Sequence, residues 1–133
     1  MTRRLLDTNT VSDLIRNPGG GAARRIAVIG QGAVCTSVIV AAELRYGAIR
    51  RGSPILSLRV SEALERLEVL PFDTPADEAY AAIRTQLERS GRPISANDMF
   101  IAAHALSLGF ILVTDNLREF ARVEGLVCEN WLR

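Results

Sequence analysis

Residues 3–10 read RRLLDTNT, a short apolar run that ends at an acid. This run predicts a strand at residues 3–6, followed by a helix that begins near Thr10. Similar short runs alternate along the chain with longer segments of helical periodicity. Such an alternation is typical of an α/β fold, in which helices cover a central parallel sheet.

The other elements follow the same alternation. Further strands are predicted at residues 34–37, 68–72, 110–114 and 126–129, and helices at residues 22–29, 38–51, 55–67 and 95–108, with a helical turn at 117–122. The segment from Thr74 to Asp77 predicts another helix, with Thr74 as its cap and Pro75 at the first helical position, that runs to about Ser90. Gly109 is expected to end the helix at 95–108 in the left-handed conformation.

Length and composition predict one domain that spans residues 1–133. The chain is 48% hydrophobic, yet no apolar run approaches the roughly 18 residues of a membrane span. Asp7 lies where a signal peptide would need its apolar region, so we expect a cytoplasmic protein without a membrane partner. Cys35 and Cys128 each lie in an apolar run, which predicts free, buried thiols rather than a disulfide.

The charged residues exclude several classes of protein. All 16 basic residues are arginine, so the chain lacks the lysine that Schiff-base enzymes, P-loop nucleotidases and phospho-receiver domains require. The formal net charge of +1 predicts no broad basic surface, so any contact with nucleic acid must come from local patches.

Four acids stand where structure alone does not require them. Asp7 and Asp115 each follow an apolar strand, and ligands of open parallel sheets bind beyond the carboxyl ends of the strands. Glu43 shares a helical face with Val40 and Leu44, where a lone carboxylate needs a cation, a metal or a shifted pKa. Asp98 repeats this pattern at the start of its helix.

Each acid also has an ordinary structural explanation. Asp7 and Asp115 are typical of turns and helix caps, and Asp98 would complement a helix dipole and cap amides. Glu43 would pair with Arg45 or Arg24. Taken together, however, the four acids predict an oxygen-ligand site for Mg²⁺, or Mn²⁺ in its place. Zinc is disfavoured, because His104, expected to be half-buried or on a helix surface, is the one histidine.

Five blocks of the sequence, at residues 5–9, 37–47, 98–105, 112–116 and 129–131, resemble the VapC toxins of bacterial VapBC toxin–antitoxin pairs in content and order. The resemblance implies a PIN-like three-layer α/β/α sandwich with a central parallel sheet. It also implies a magnesium-dependent endoribonuclease that a cognate VapB-type antitoxin inhibits. The expected assembly is a homodimer within a larger toxin–antitoxin complex, which reaches DNA only through the antitoxin.

The same resemblance assigns residues to the site. Asp7, Glu43 and Asp98 match the metal-site acids of the family and are expected to act in catalysis. The fourth position is open: Asp115 is a further catalytic candidate and Asn116 a further metal ligand. Accessory positions are Thr8, Asn9, Thr114 and Glu119.

Three other functions use similar residues. A flap-like DNA nuclease shares the metal chemistry but needs additional helices to thread DNA. A receiver-like module also gathers aspartates around magnesium, yet it requires a lysine. A non-catalytic RNA-binding module would not need the full set of acids.

Overall fold

The computed structural model describes residues 2–132, in which five short strands form one parallel sheet. The strands are β1 (Arg4–Leu6), β2 (Val34–Ser37), β3 (Glu68–Leu70), β4 (Ile111–Val113) and β5 (Cys128–Glu129). Their order in the sheet is β3-β2-β1-β4-β5, and every neighbouring pair is parallel. β1 is therefore central, and the segments that follow β1 and β4 leave the sheet side by side.

Within the described residues, seven α-helices cover this sheet and complete the expected α/β/α sandwich. They are α1 (Thr8–Arg16), α2 (Gly21–Ile29), α3 (Val38–Arg50), α4 (Pro54–Arg66), α5 (Ala76–Arg89), α6 (Ala96–Leu108) and α7 (Leu117–Phe120). Within this set, α1 packs against α2, α3 and α4, and α6 packs against α5 and α3. No helix in residues 2–132 combines the length and the apolar character that crossing a membrane requires.

The strands lie at the centre of the hydrophobic core. Leu5, Leu6, Leu112 and Val113 are fully buried, because helices cover both faces of the sheet. Strands buried on both faces carry continuous apolar runs instead of an alternating pattern. This is why three-residue strands were recognisable in the sequence.

Most predicted elements are present with ends shifted by a few residues, but the start of α5 was predicted wrongly. Pro75, not Thr74, occupies the cap position, and no side chain caps the helix. The Ala76 amide instead donates to the Asp73 carbonyl at 2.8 Å, so the chain enters the helix through a turn. Gly109 has φ 68° and ends α6 in the left-handed conformation, as predicted.

His104 is buried, which corrects the expectation of a half-buried or surface position. The helix α6 packs against α3 and α5, and the His104 side chain is only 2% exposed. Its Nδ1 lies 2.8 Å from the Ser37 hydroxyl, and its ring meets Phe72 edge to face. Burial lowers the pKa of His104, so the imidazole is neutral and serves packing.

The two cysteines are free, as predicted. Cys35 is buried and Cys128 is half-buried. Burial raises the pKa of each thiol to about 11, so both stay protonated at neutral pH.

The segment that follows β5 is held against the start of α2. The Trp131 indole donates to Glu129 at 3.0 Å, and the Arg25 guanidinium lies 5.7 Å from the centre of the indole ring. A Cβ atom at Gly21 would lie 2.5 Å from the Trp131 carbonyl oxygen. Gly21 therefore permits this close backbone approach.

We expect Gly21→Ala to destabilise the protein by about 1–3 kcal/mol, because the methyl group must displace the backbone at Trp131. Gly47→Ala is the matched control, since a Cβ there meets no neighbouring atom within 4 Å. Removing a mid-helix glycine should stabilise α3 by up to about 1 kcal/mol. Urea denaturation measures both changes, and equal effects of the two substitutions would contradict this description of Gly21.

Candidate metal centre

Asp7 connects the end of β1 to the start of α1. Its Oδ1 accepts hydrogen bonds from the Thr10 amide at 2.9 Å and the Thr10 hydroxyl at 2.7 Å. The Asp7 amide donates to the Val113 carbonyl at 3.0 Å, which joins this corner to β4. Asp7 is 5% exposed. It therefore caps α1 and is at the same time a buried acid at the end of β1.

The Thr114 hydroxyl provides a further hydrogen bond to the Asp7 carboxylate. It also accepts the Asn116 amide at 2.9 Å. Burial raises the pKa of Asp7, the bonds from Thr114 and Thr10 oppose this shift, and the charge of Asp115 adds to it. The surrounding groups orient the carboxylate but do not fully offset the loss of solvent.

Glu43 reaches the same edge of the sheet from the middle of α3, where it is half-buried. Its Oε1 accepts the Thr8 hydroxyl, and its Oε2 accepts the Asn97 side-chain amide at 3.2 Å. In the part of the chain that the structure describes, no ion pair involves Glu43. Arg45, one of the partners considered, donates to the Ser61 hydroxyl instead.

Asp98 lies in the first turn of α6, but Ser95 caps the helix. The Ser95 hydroxyl accepts the Asp98 amide at 3.2 Å, so the capping role considered for the Asp98 side chain is not observed. Burial raises the pKa of Asp98, and the charges of Glu43, Glu119 and Asp7 raise it further, while the hydrogen bond from Ser95 lowers it. Asp7, Glu43 and Asp98 are therefore close enough for their charges to interact.

A cavity of about 240 Å³ lies between these side chains. Its lining consists of Asp7, Thr8, Asn9, Glu43, Ser95, Asp98, Asn116 and Phe120. Apart from Phe120, every lining side chain ends in a carboxylate, an amide or a hydroxyl group. Among residues 2–132, the cavity is therefore lined by oxygen ligands and by no arginine or histidine.

The remaining predicted residues lie around this cavity. Asp115 does not line it and accepts the Asn9 amide at 3.1 Å. Asn116 does line it, and its side-chain amide donates to Glu119 at 2.9 Å. Of the three candidates for the fourth position, Asp115, Asn116 and Glu119, the one that lines the cavity is Asn116.

Sequence reasoning missed three residues that hold the acids. Thr10 and Ser95 had a recognisable signal, because each is separated from its acid by the three-residue spacing of a capping interaction. Asn97 had none. It meets Glu43 across 54 positions of the chain, and only the packing of α3 against α6 brings them together.

The donor set suits a hard divalent cation such as Mg²⁺ or Mn²⁺, which prefers carboxylate and carbonyl oxygen. Asp7, Asp98, Glu43 and Asn116 would hold it. Within residues 2–132, no three acidic, histidine or cysteine side chains are already close enough to form a metal site. The Glu43 oxygens are instead occupied by the neutral donors Thr8 and Asn97.

The sequence matches the PIN domain family over residues 4–126. A relative from Shigella flexneri, the tRNA(fMet)-specific endonuclease VapC, is 40% identical over 98% of this chain and 99% of its own. This chain is a PIN-domain protein of the VapC family. Ribonuclease VapC2 of Haemophilus influenzae is 38% identical over 99% of this chain and all of its own length.

A solved structure agrees with this assignment. A chain of the DNA-bound VapBC complex from Salmonella typhimurium superposes with a TM-score of 0.90 at 40% identity, covering 98% of this chain and 99% of that one. The likeness extends over the sheet and its helices. Both the expected family and the expected fold are therefore confirmed.

The variant Asp98→Asn tests whether Asp98 belongs to a charged metal centre or is merely an acid in the first turn of a helix. Because burial and neighbouring acids raise the pKa of Asp98, its favourable contribution is present at low pH and is lost as pH rises through that pKa. At neutral pH in EDTA, the variant should therefore melt at or above the parent's temperature.

Magnesium should then stabilise the parent more than the variant. At a magnesium concentration of 100 times the Kd, the free energy of unfolding of the parent should rise by about 2.7 kcal/mol. Asp77→Asn, in the first turn of α5, controls for loss of a charge at a helix start. It should leave the magnesium response unchanged. Scanning fluorimetry over a magnesium titration measures all three proteins, and matching shifts for parent and Asp98→Asn would remove Asp98 from the site.

Proposed function

We propose that this VapC-family protein is a divalent-metal-dependent endoribonuclease, the toxin of a VapBC-type pair. The observation that carries the proposal is the meeting of Asp7, Glu43 and Asp98 at one oxygen-lined cavity beyond the carboxyl ends of β1 and β4. The relatives support RNA as the substrate, since one is named a ribonuclease and another a tRNA-specific endonuclease.

The chain's own residues prepare the cavity for a phosphodiester. A bound Mg²⁺ or Mn²⁺ would neutralise charge on the scissile phosphate and activate a water molecule. Asp7 is held by Thr10 and Thr114, so its carboxylate would need little rearrangement. Asp98 lines the same cavity from α6, and Asn116 would supply an uncharged oxygen.

Asp115 and Glu119 have a more distant role in this proposal. They hydrogen-bond to Asn9 and Asn116, two residues that line the cavity, and so orient them. Their charges also raise the pKa values of Asp7 and Asp98 respectively. Both acids therefore strengthen the negative field that attracts a cation without having to touch it.

The proposed partner is a VapB-type antitoxin, and any contact with DNA would be made by that antitoxin. The structural neighbour from Salmonella typhimurium is such a VapBC complex. Exposed apolar side chains on α3 and α4, Tyr46, Ile49, Ile55 and Leu58, support an assembled state that includes a homodimer.

The purified protein should cleave RNA in the presence of Mg²⁺ or Mn²⁺ and lose this activity in EDTA, because only a hard cation suits the oxygen ligands. Asp98→Asn should reduce the cleavage rate at least about 100-fold while the far-ultraviolet circular dichroism stays unchanged. Cleavage of a labelled RNA, followed on denaturing gels, measures both effects. Activity that survives chelation would exclude the metal mechanism.

The antitoxin should inhibit by placing a basic side chain against the acids of the cavity, where it competes with the metal. Replacing the basic residues in the C-terminal segment of the antitoxin by alanine should therefore weaken inhibition more than it weakens complex formation. Inhibition constants and binding isotherms measured on the same antitoxin variants distinguish the two effects. Equal inhibition by the altered and unaltered antitoxins would contradict this idea.

A further inference from the structure

Glu43 is held in the cavity by two neutral donors that come from different helices. The Thr8 hydroxyl is at the start of α1, and the Asn97 amide is at the second position of α6. Each donor binds a different carboxylate oxygen, so the pair restrains both the position and the rotation of the group. The Asn97 bond also links α6 to α3 next to Asp98.

The chemical nature of these donors is informative. An arginine at position 97 would bind Glu43 more strongly, but it would also neutralise the charge that attracts a cation. An amide orients the carboxylate and leaves its charge in place. Hydrogen bonds from an outer ring of residues to ligating carboxylates typically contribute about 10–100-fold in metal affinity or activity.

We propose that Asn97 is a positioning residue of the metal centre, whose amide, together with the Thr8 hydroxyl, orients the Glu43 carboxylate toward the cavity. The inference rests on the proposed function, because it assumes that Glu43 serves a bound cation. It assigns Asn97 no contact with the substrate. Its effect on metal affinity is transmitted through Glu43.

The direct test is the affinity for Mg²⁺ alone, measured by scanning fluorimetry or calorimetry without RNA. Asn97→Ala should weaken magnesium binding roughly 10-fold or more. Asn17→Ala is the matched control, because the side-chain amide of Asn17, just after α1, also donates in an exposed hydrogen bond to a carboxylate, that of Asp13 at 2.7 Å. The control should bind magnesium like the parent.

A double-mutant cycle tests whether Asn97 acts through Glu43. In a Glu43→Ala background, Asn97→Ala should change neither the magnesium midpoint nor the melting temperature in EDTA. The metal-free melting temperature keeps the cycle measurable if Glu43→Ala alone removes magnesium binding. An undiminished effect of Asn97→Ala in that background would overturn the proposal.

Thr8 provides a second pair of variants. Thr8→Val removes the hydroxyl and should weaken magnesium binding. Thr8→Ser keeps the hydroxyl and should bind magnesium like the parent. The RNA cleavage defect of Asn97→Ala should disappear at saturating magnesium, because Asn97 acts on metal affinity and does not contact the substrate.

The outcomes separate this inference from the proposed function. If the parent binds magnesium and cleaves RNA while Asn97→Ala matches it at every magnesium concentration, Asn97 has no positioning role and the proposed function stands. If the Asn97 and Glu43 effects on magnesium binding are coupled but the protein cleaves no RNA, the positioning role stands and the proposed function fails.

Discussion

The hydrogen bonds around the Asp7 carboxylate connect the fold to the site. Its Oδ1 caps α1 through Thr10, its backbone amide pairs with β4, and Thr114 holds the carboxylate from the next strand. A buried carboxylate is unfavourable unless it is hydrogen-bonded, and these bonds add to the strand pairing that already joins β1 to β4. The sheet edge is therefore built around an acid whose burial serves both the helix start and the cavity.

This arrangement places stability and function in opposition. Asp7 and Asp98 have raised pKa values because burial and neighbouring acids disfavour their charged forms. Hydrogen bonds with Thr10 and Thr114 at Asp7, and with Ser95 at Asp98, offset part of this cost. Within residues 2–132, the cavity has no lining arginine, so the negative charge stays available to a cation.

Local patterns predicted the parts of the molecule that depend on neighbours in sequence. The short apolar runs revealed the strands, because burial on both faces leaves no polar alternation in them. The acids after β1 and in the first turn of α6 were recognised as unusual from the few residues on either side of them. The position of His104 was predicted wrongly for the converse reason: its ring is buried against Ser37 and Phe72, which the sequence around α6 does not reveal.

The amino-acid sequence by itself determined the order of the elements, the acids Asp7, Glu43 and Asp98 as site candidates, and the preference for a hard cation. These follow from spacing, composition and the chemistry of oxygen ligands. Only the tertiary structure decided that Asn116 lines the cavity while Asp115 lies outside it, and that Asn97 reaches Glu43. Such contacts join residues far apart in sequence, and they depend on how helices pack across the sheet, which no local pattern encodes.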